Sequence, residues 1–573
     1  MRRERPKSQA IGWLIIVGLA CSGVTLLYKG LKGGASLPVG IPEPIELPQI
    51  AGGSPGPVAG PVQAVGGAPV QPGAGIFSLP RPDSVDGADS DSHCVGCDVI
   101  LITVCSLRKD HLGAYGFPGD VSPAVDALAE AGVRFERAYS ASNFTLASLT
   151  AILTGRYGSA TGVTGWDKGL TADVPTLAEV LGNYGYRTGA FTTDAPSGFR
   201  PDYGLNRGFQ HMEITNPPRN SPDGRFRGGK KEPLGSVAQP AVDWLNQQTG
   251  ADPVFMMMHT RTAHFPFVVD PPDEGADPTG MRTLLWEAGQ AEAEKRQNQP
   301  MPGMAGGTAQ EGVVEIVRED PLQTRVNQLG ESATAVWRQA YAEGVTRMDA
   351  DVRELLSAVA KRGKRTIVVL VADHGESLND HSELLHGDAF FDGVINVPFI
   401  ISVPGLSGAT GVRDAIVSQT DIVPTILQLV GAVVPTGVDG VSLVPQLQGS
   451  SEPAHHLVLS EGGVAKIEDG VLPGAVISDP WVLLKQRRGC GVGMGRTRGA
   501  VDEGMPVCLF NHETDPGQTR SLSGVETAVV DDLLGRWKGF RSAHGRVGEQ
   551  KELSDAFIQE LQRSGYDFSK GAP

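Results

Sequence analysis

Four short segments concentrate the residues of this chain whose chemistry could act on a substrate. The first is Val104-Cys105-Ser106-Leu107-Arg108-Lys109-Asp110-His111, and the second is Asn143-Phe144-Thr145-Leu146-Ala147-Ser148-Leu149. The third runs from His259 to Phe267 and contains Ala263-His264-Phe265-Pro266; the fourth is Asp373-His374-Gly375-Glu376, with His386-Gly387 downstream. A carboxylate beside an imidazole, Asp373 with His374, suits a divalent ion such as calcium, manganese or zinc. Thr145 offers a hydroxyl nucleophile, and Arg108 and Ser148 offer contacts to an anionic substrate. Each residue also has a plain structural reading. Asp-His-Gly can cap a strand end and open a helix, Thr145 can be a helix N-cap hydroxyl, and Cys105 can be a small apolar residue at a buried strand end.

The elements needed to hold these segments are legible in the hydrophobic pattern. Asp98–Val104, Thr188–Thr192, Val254–Met258 and Thr366–Val371 read as apolar strands, and the chemistry-bearing residues follow their ends. Between them lie helical patterns at Val121 to Ala131, Pro175 to Tyr184 and Ala333 to Ala360. Strand–helix alternation with continuously apolar strands predicts a parallel sheet covered by helices. Past Val412 the pattern weakens, and Val482–Lys485 and Val507–Phe510 fit a small antiparallel element.

In their order and spacing the four segments resemble the sulfatase family of the alkaline phosphatase superfamily. Supporting matches are Pro123-Ala124-Val125-Asp126, Gly132-Val133-Arg134-Phe135, Gly185-Tyr186-Arg187-Thr188 and Asp421-Ile422-Val423-Pro424-Thr425. The resemblance runs from about Asp98 to Leu522. It implies an alkaline-phosphatase-like three-layer α/β sandwich with a mostly parallel central sheet and a small C-terminal antiparallel element. It also implies one divalent metal, with Asp373 and His374 as ligands, His264 contacting the ester oxygens and His386 protonating the leaving group.

Three positions depart from the family pattern. Sulfatases carry Cys or Ser, oxidised to formylglycine, where this chain has Thr145; threonine cannot give that aldehyde, so no formylglycine is expected. Leu149 stands where the family has Arg or His, and a leucine offers nothing to an oxyanion. Cys105-Ser106 replaces Asp followed by Asp or Thr, and Cys105 as a thiolate ligand would favour zinc over calcium or magnesium. Two functions follow as expectations. One is an ester hydrolase with an altered metal site, acting on sulfate or, given Thr145, phosphate-type esters. The other is a catalytically inactive member serving as a membrane-tethered binding or scaffold module. A thiol–disulfide role for Cys94-Val95-Gly96-Cys97 is a third, weaker idea, since no thioredoxin-type pattern surrounds it.

Composition bounds the partners. A net charge of −16 argues against nucleic acid; the family resemblance implies an ester-type small molecule or a surface glycan or lipid as substrate. The chain opens with a basic end, residues 1–10, and an apolar run, 11–28, just long enough to span a bilayer core. An uncleaved transmembrane signal anchor is expected, with the folded part on the periplasmic or extracellular side. A cleaved signal peptide and a lipoprotein signal at Cys21 are the rival readings. Residues 29–92 read as a disordered Gly/Pro-rich tether, 97–450 as the sulfatase-like domain with 271–327 as an insertion or lid, and 451–573 as a C-terminal subdomain and tail. Outside the cytoplasm, Cys94 with Cys97 and Cys490 with Cys508 are disulfide candidates.

Overall fold

The computed structural model describes residues 94–193, 199, 203–215, 237–267, 272, 275, 277–288, 321–463, 472–486, 489–490 and 500–551. The basic end, the apolar run at 11–28 and the tether expected up to residue 92 lie outside the described residues. Among those described, no helix is long and apolar enough to cross a membrane.

Eight strands form the central sheet: β1 (Asp98–Val104), β2 (Val133–Tyr139), β3 (Arg187–Thr193), β4 (His211–Thr215), β5 (Val254–Thr260), β6 (Thr366–Ala372), β7 (Phe399–Ser402) and β8 (Gly411–Ser418). Their spatial order is β8-β2-β7-β6-β1-β5-β3-β4. Five of the seven neighbouring pairs are parallel, and only β7 runs against its neighbours, β2 and β6. Every residue of β1, β5 and β6 is buried. That is why these strands read as unbroken apolar runs rather than alternating ones. This is the α/β class the sequence implies.

Helices supply the cover. α1 (Pro123–Glu130) begins with a proline in its first turn, and its Ala124 and Val125 amides donate to the buried carboxylate of Asp349. α2 (Thr145–Thr154) is buried along its whole length. α3 (Leu177–Asn183) opens with a capping box, Thr176 with Glu179, so the helix starts two residues after Pro175 rather than at it. α4 (Ala238–Gln247) precedes β5, and the long α5 (Glu331–Arg362) precedes β6. α5 buries Trp337, Tyr341, Val345, Met348, Val352 and Leu355, one stripe at helical spacing, and stops at Gly363 in the left-handed region, φ 67°. Within the 271–327 segment, Met281 and Leu285 are buried and Arg282 forms a two-armed pair with Glu343 of α5.

The C-terminal element is larger than the two strands expected. β9 (Val458–Glu461), β10 (Gly474–Ser478), β11 (Trp481–Lys485), β12 (Ala500–Asp502) and β13 (Met505–Asn511) form an antiparallel sheet in the order β9-β10-β11-β13-β12. Helix α6 (Ile422–Val430) is almost wholly buried, and α7 (Thr527–His544) seals the small sheet with Val530, Leu533 and Trp537. Disulfides join Cys94 to Cys97 and Cys490 to Cys508.

Candidate active site

Register decides which residues meet. β1 lies between β6 and β5, with Val104 opposite Ala372 on one side and Thr260 on the other. The ladder carries one step further, because the Cys105 amide donates to Thr260 O at 2.9 Å and the Asp373 amide to Val104 O at 3.0 Å. Cys105 and Asp373 therefore emerge side by side at the carboxyl ends of adjacent strands, where parallel sheets place their sites. His259 reaches the same place from β5, as the register partner of Thr103. Thr145 arrives from the far side of β7, at the start of α2.

The turn after β1 is strained in a useful direction. Ser106 has φ 60°, a left-handed conformation costing a non-glycine residue roughly 1–2 kcal/mol. In return its amide donates to Asp373 Oδ1 at 3.1 Å. Tyr341 of α5 locks the turn, its hydroxyl donating to Ser106 O at 2.7 Å and accepting from the Arg108 amide at 2.8 Å. Strain of this kind, held by surrounding contacts, collects at active sites and ligand clamps.

Thr145 is 2% exposed and is the first residue of α2, with Phe144 at the N-cap. Its Oγ1 lies 3.3 Å from His374 Nε2 and 3.4 Å from Cys105 Sγ. His374 donates Nδ1–H to Gly375 O at 2.8 Å, which leaves Nε2 with its lone pair toward the Thr145 hydroxyl. Burial pushes His374 down to about 4, so the ring is neutral at ordinary pH. The same ring packs at a tilt against His386, centroids 4.2 Å apart, and His386 meets His264 edge-on at 5.1 Å.

A tight donor group stands next to this hydroxyl. Cys105 Sγ, a ring nitrogen of His259 and a carboxylate oxygen of Asp373 lie within 4.8 Å of one another, all fully buried. His259 Nδ1 is 2.9 Å from Thr103 Oγ1, while its Nε2 has no hydrogen-bond partner. Asp373 Oδ2 likewise has none; Oδ1 takes the Ser106 and His374 amides. Burial alone would raise the Asp373 carboxyl, but His374, His259 and those amides hold it below the usual range. Burial, then the Asp373 charge, push the Cys105 thiol well up. His374, expected as the second ligand beside Asp373, turns Nε2 toward both Thr145 Oγ1, at 3.3 Å, and Asp373 Oδ2, at 3.6 Å. His259, which was not expected as a ligand, joins Cys105 and Asp373 in the group.

Other expected residues have defined partners. His264 donates Nδ1–H to Phe265 O and lies 3.1 Å from Arg261 Nη2 through Nε2. His386 Nδ1 is 3.1 Å from Glu376 Oε1, and both side chains are fully buried. Burial raises Glu376 to about 8 and lowers His386 to about 3, so near neutrality the proton they share belongs to the carboxyl. Arg108 is bound to Asp110, Asp380 and Glu376 O, and Ser148 donates to Ser142 O at 3.1 Å. Leu149 is buried in the main apolar cluster.

Two residues of the third segment were given no role by the sequence reading. His259 and Arg261, the latter 2% exposed, follow directly on the apolar run of β5. The charge of Arg261 acts on Cys105, His259, His264 and His386 together, which makes it a fixed cation of the site. The available signal was their place at the end of a strand that must pair with β1.

A family model, Sulfatase, matches residues 98–432. The Delta 4,5-hexuronate-2-O-sulfatase of Bacteroides thetaiotaomicron is 26% identical over 468 residues, covering 76% of this chain and 89% of that protein. The ulvan-active sulfatase of Formosa agariphila is 24% identical over 513 residues, covering 86% and 89%. In fold, the phosphonate monoester hydrolase of Agrobacterium radiobacter superposes with a TM-score of 0.57 at 20% identity, covering 78% of this chain and 96% of that one. The family model alone spans more than half of the sequence and takes in all four site segments, and the chain belongs to the sulfatase family.

Proposed function

We propose that this sulfatase-family hydrolase attacks an anionic ester with the unmodified hydroxyl of Thr145, and that phosphate-type esters are better substrates than sulfates. The observation that carries the reading is the approach of Thr145 Oγ1 to His374 Nε2, 3.3 Å, with the other ring nitrogen committed to a carbonyl. Oxidising a threonine side chain at Cβ would give a methyl ketone, not an aldehyde, so the hydroxyl itself must act. As Oγ1 bonds to phosphorus, its proton passes to His374 Nε2. Arg261 and His264 face the ester's charged oxygens, and Arg261 supplies the cation that Leu149 lacks. The leaving oxygen takes a proton from His386 Nε2, and Nδ1 is resupplied from the Glu376 carboxyl. Water then cleaves the Thr145 ester.

In this family a divalent ion acidifies the nucleophile and neutralises the substrate oxygen. A thiol and an imidazole beside one carboxylate do not fit a hard, oxygen-seeking ion, and no step above is routed through one. The names of the hexuronate- and ulvan-directed relatives support a sugar-borne ester as substrate. The basic end and apolar run support a membrane-anchored chain with its folded part on the outer face.

The test is turnover by the full-length protein of an aryl phosphate, a phosphonate monoester, a phosphodiester and an aryl sulfate, each over a range of cations. Phosphate-type esters should be cleaved fastest. Absence of turnover with every ester and cation would overturn the reading and favour a binding or scaffold module; cleavage of the sulfate alone would overturn the substrate class.

A further inference from the structure

We infer that Cys105, His259 and Asp373 form a three-ligand site for zinc, with His259 recruited from β5 to replace the carboxylate missing after β1. The inference rests on the hydrolase reading for what such an ion would do, but on the donor atoms alone for its binding. Those donors lie within 4.8 Å of one another. Two of them carry a buried atom with no hydrogen-bond partner, Asp373 Oδ2 and His259 Nε2. A buried polar atom left unpaired costs about 1–3 kcal/mol, and here two such atoms belong to one cluster.

The supporting bonds orient each ligand. Thr103 Oγ1 engages His259 Nδ1 at 2.9 Å and fixes the ring with Nε2 outward. Two amides saturate Asp373 Oδ1, and Oδ2, with no hydrogen bond and 3.6 Å from His374 Nε2, is the carboxylate oxygen available to an ion. Such outer bonds are what metal-bound imidazoles and carboxylates need. Sulfur and imidazole nitrogen are the donors zinc prefers and calcium and magnesium avoid. Three protein ligands also match the pattern of catalytic rather than structural zinc, which keeps one position open. Thr145 Oγ1 lies 3.4 Å from Cys105 Sγ, beside the three donors. On binding, the Cys105 thiol loses its proton to solvent and becomes the thiolate ligand.

The full-length protein, stripped with a chelator, would be offered equimolar zinc in excess calcium and magnesium, then desalted and its metal counted by mass spectrometry. We expect zinc to be retained at one per chain. Cys105→Ser and His259→Gln should each weaken zinc retention by at least about 10-fold, whereas His211→Gln, at an exposed histidine, should leave it unchanged. Cobalt substituted for zinc should show a sulfur-to-metal charge-transfer band that Cys105→Ser abolishes. If either loss variant fails to fold, Cys105→Asp answers instead, because it should shift preference toward calcium or manganese. Retention of calcium or magnesium in place of zinc would overturn the inference. So would zinc retention indifferent to Cys105 and His259. Stoichiometric, Cys105-dependent zinc without turnover would uphold the site and sink the hydrolase reading, and Thr145-dependent turnover by a chain that never holds zinc would do the reverse.

Discussion

Thr145→Val is the sharpest perturbation of the chemistry, because it exchanges a hydroxyl for a methyl at nearly constant volume. Thr145 is 2% exposed, and the contacts the change removes include those to His374 Nε2 and to Cys105 Sγ, at 3.3 and 3.4 Å. Both are long, placing each near the low end of the roughly 0.5–1.5 kcal/mol a hydrogen bond contributes net. Leaving His374 Nε2 without its donor adds a desolvation cost of about 1–3 kcal/mol. Unfolding stability should therefore fall by about 2–4 kcal/mol, with the protein still folded. Catalysis should fall far more: removing a nucleophile that acts with its base costs on the order of 10⁴–10⁶ in kcat. Denaturant unfolding and steady-state kinetics with an aryl phosphate read the two effects separately, and Thr145→Ser should stay active. A Thr145→Val protein within about 10-fold of the parent's kcat would refute Thr145 as nucleophile. A stability loss much above that range would mean the hydroxyl serves the fold.

Three further outcomes follow from the same geometry. Arg261→Met should cut kcat/KM by roughly 10²–10³, the scale of losing one charge-stabilising donor; unchanged kinetics would remove Arg261 from the site. For the chelated, metal-free chain, His259, His374 and His386 sit at about 4, 4 and 3 when folded against 6.5 when unfolded. The unfolded chain thus binds more protons below pH 6.5, and the stability these rings contribute is lost as pH falls from there toward 4. Glu376, raised from 4.5 to about 8, works oppositely, its contribution fading as pH climbs from 4.5 to 8. Melting temperature should peak near pH 6.5, and a peak below pH 5 would contradict these environments. Leu149→Arg should not create a sulfatase: Leu149 is buried in the main apolar cluster, so a charge there should destabilise by roughly 3–5 kcal/mol. A stable Leu149→Arg protein that gains sulfate turnover would place residue 149 in the site.

The sheet was legible because burial on both faces writes itself as uninterrupted apolar runs, as in β1 and β6. Helix ends were less so. Pro175 suggests a helix start, but the capping box of Thr176 and Glu179 sets it two residues later. The strands between residues 458 and 511 are short and broken by turns, so periodicity showed only two of five. In the site, Cys105, Thr145, Asp373, His374 and His386 were readable from strand ends and motif likeness. His259 was not, because a histidine ending a strand looks the same whether it faces the core or a ligand. Only the pairing of β1 with β5, a contact across 156 residues, brings it to Cys105. Arg261 was missed for the same reason. Arg108 reads as a substrate contact by type, yet Asp110 and Asp380 take its guanidinium, a pairing that depends on where the turn after β6 returns.

The central claim, that the unmodified Thr145 hydroxyl does the chemistry, is tested most directly by trapping. Full-length protein turning over an aryl phosphate would be quenched in acid, digested and mapped by mass spectrometry. The peptide spanning Asn143 to Arg156 should carry one phosphoryl group on Thr145, with the threonine otherwise intact. An unmodified Thr145 peptide alongside a phosphoryl group on any other residue would contradict the account.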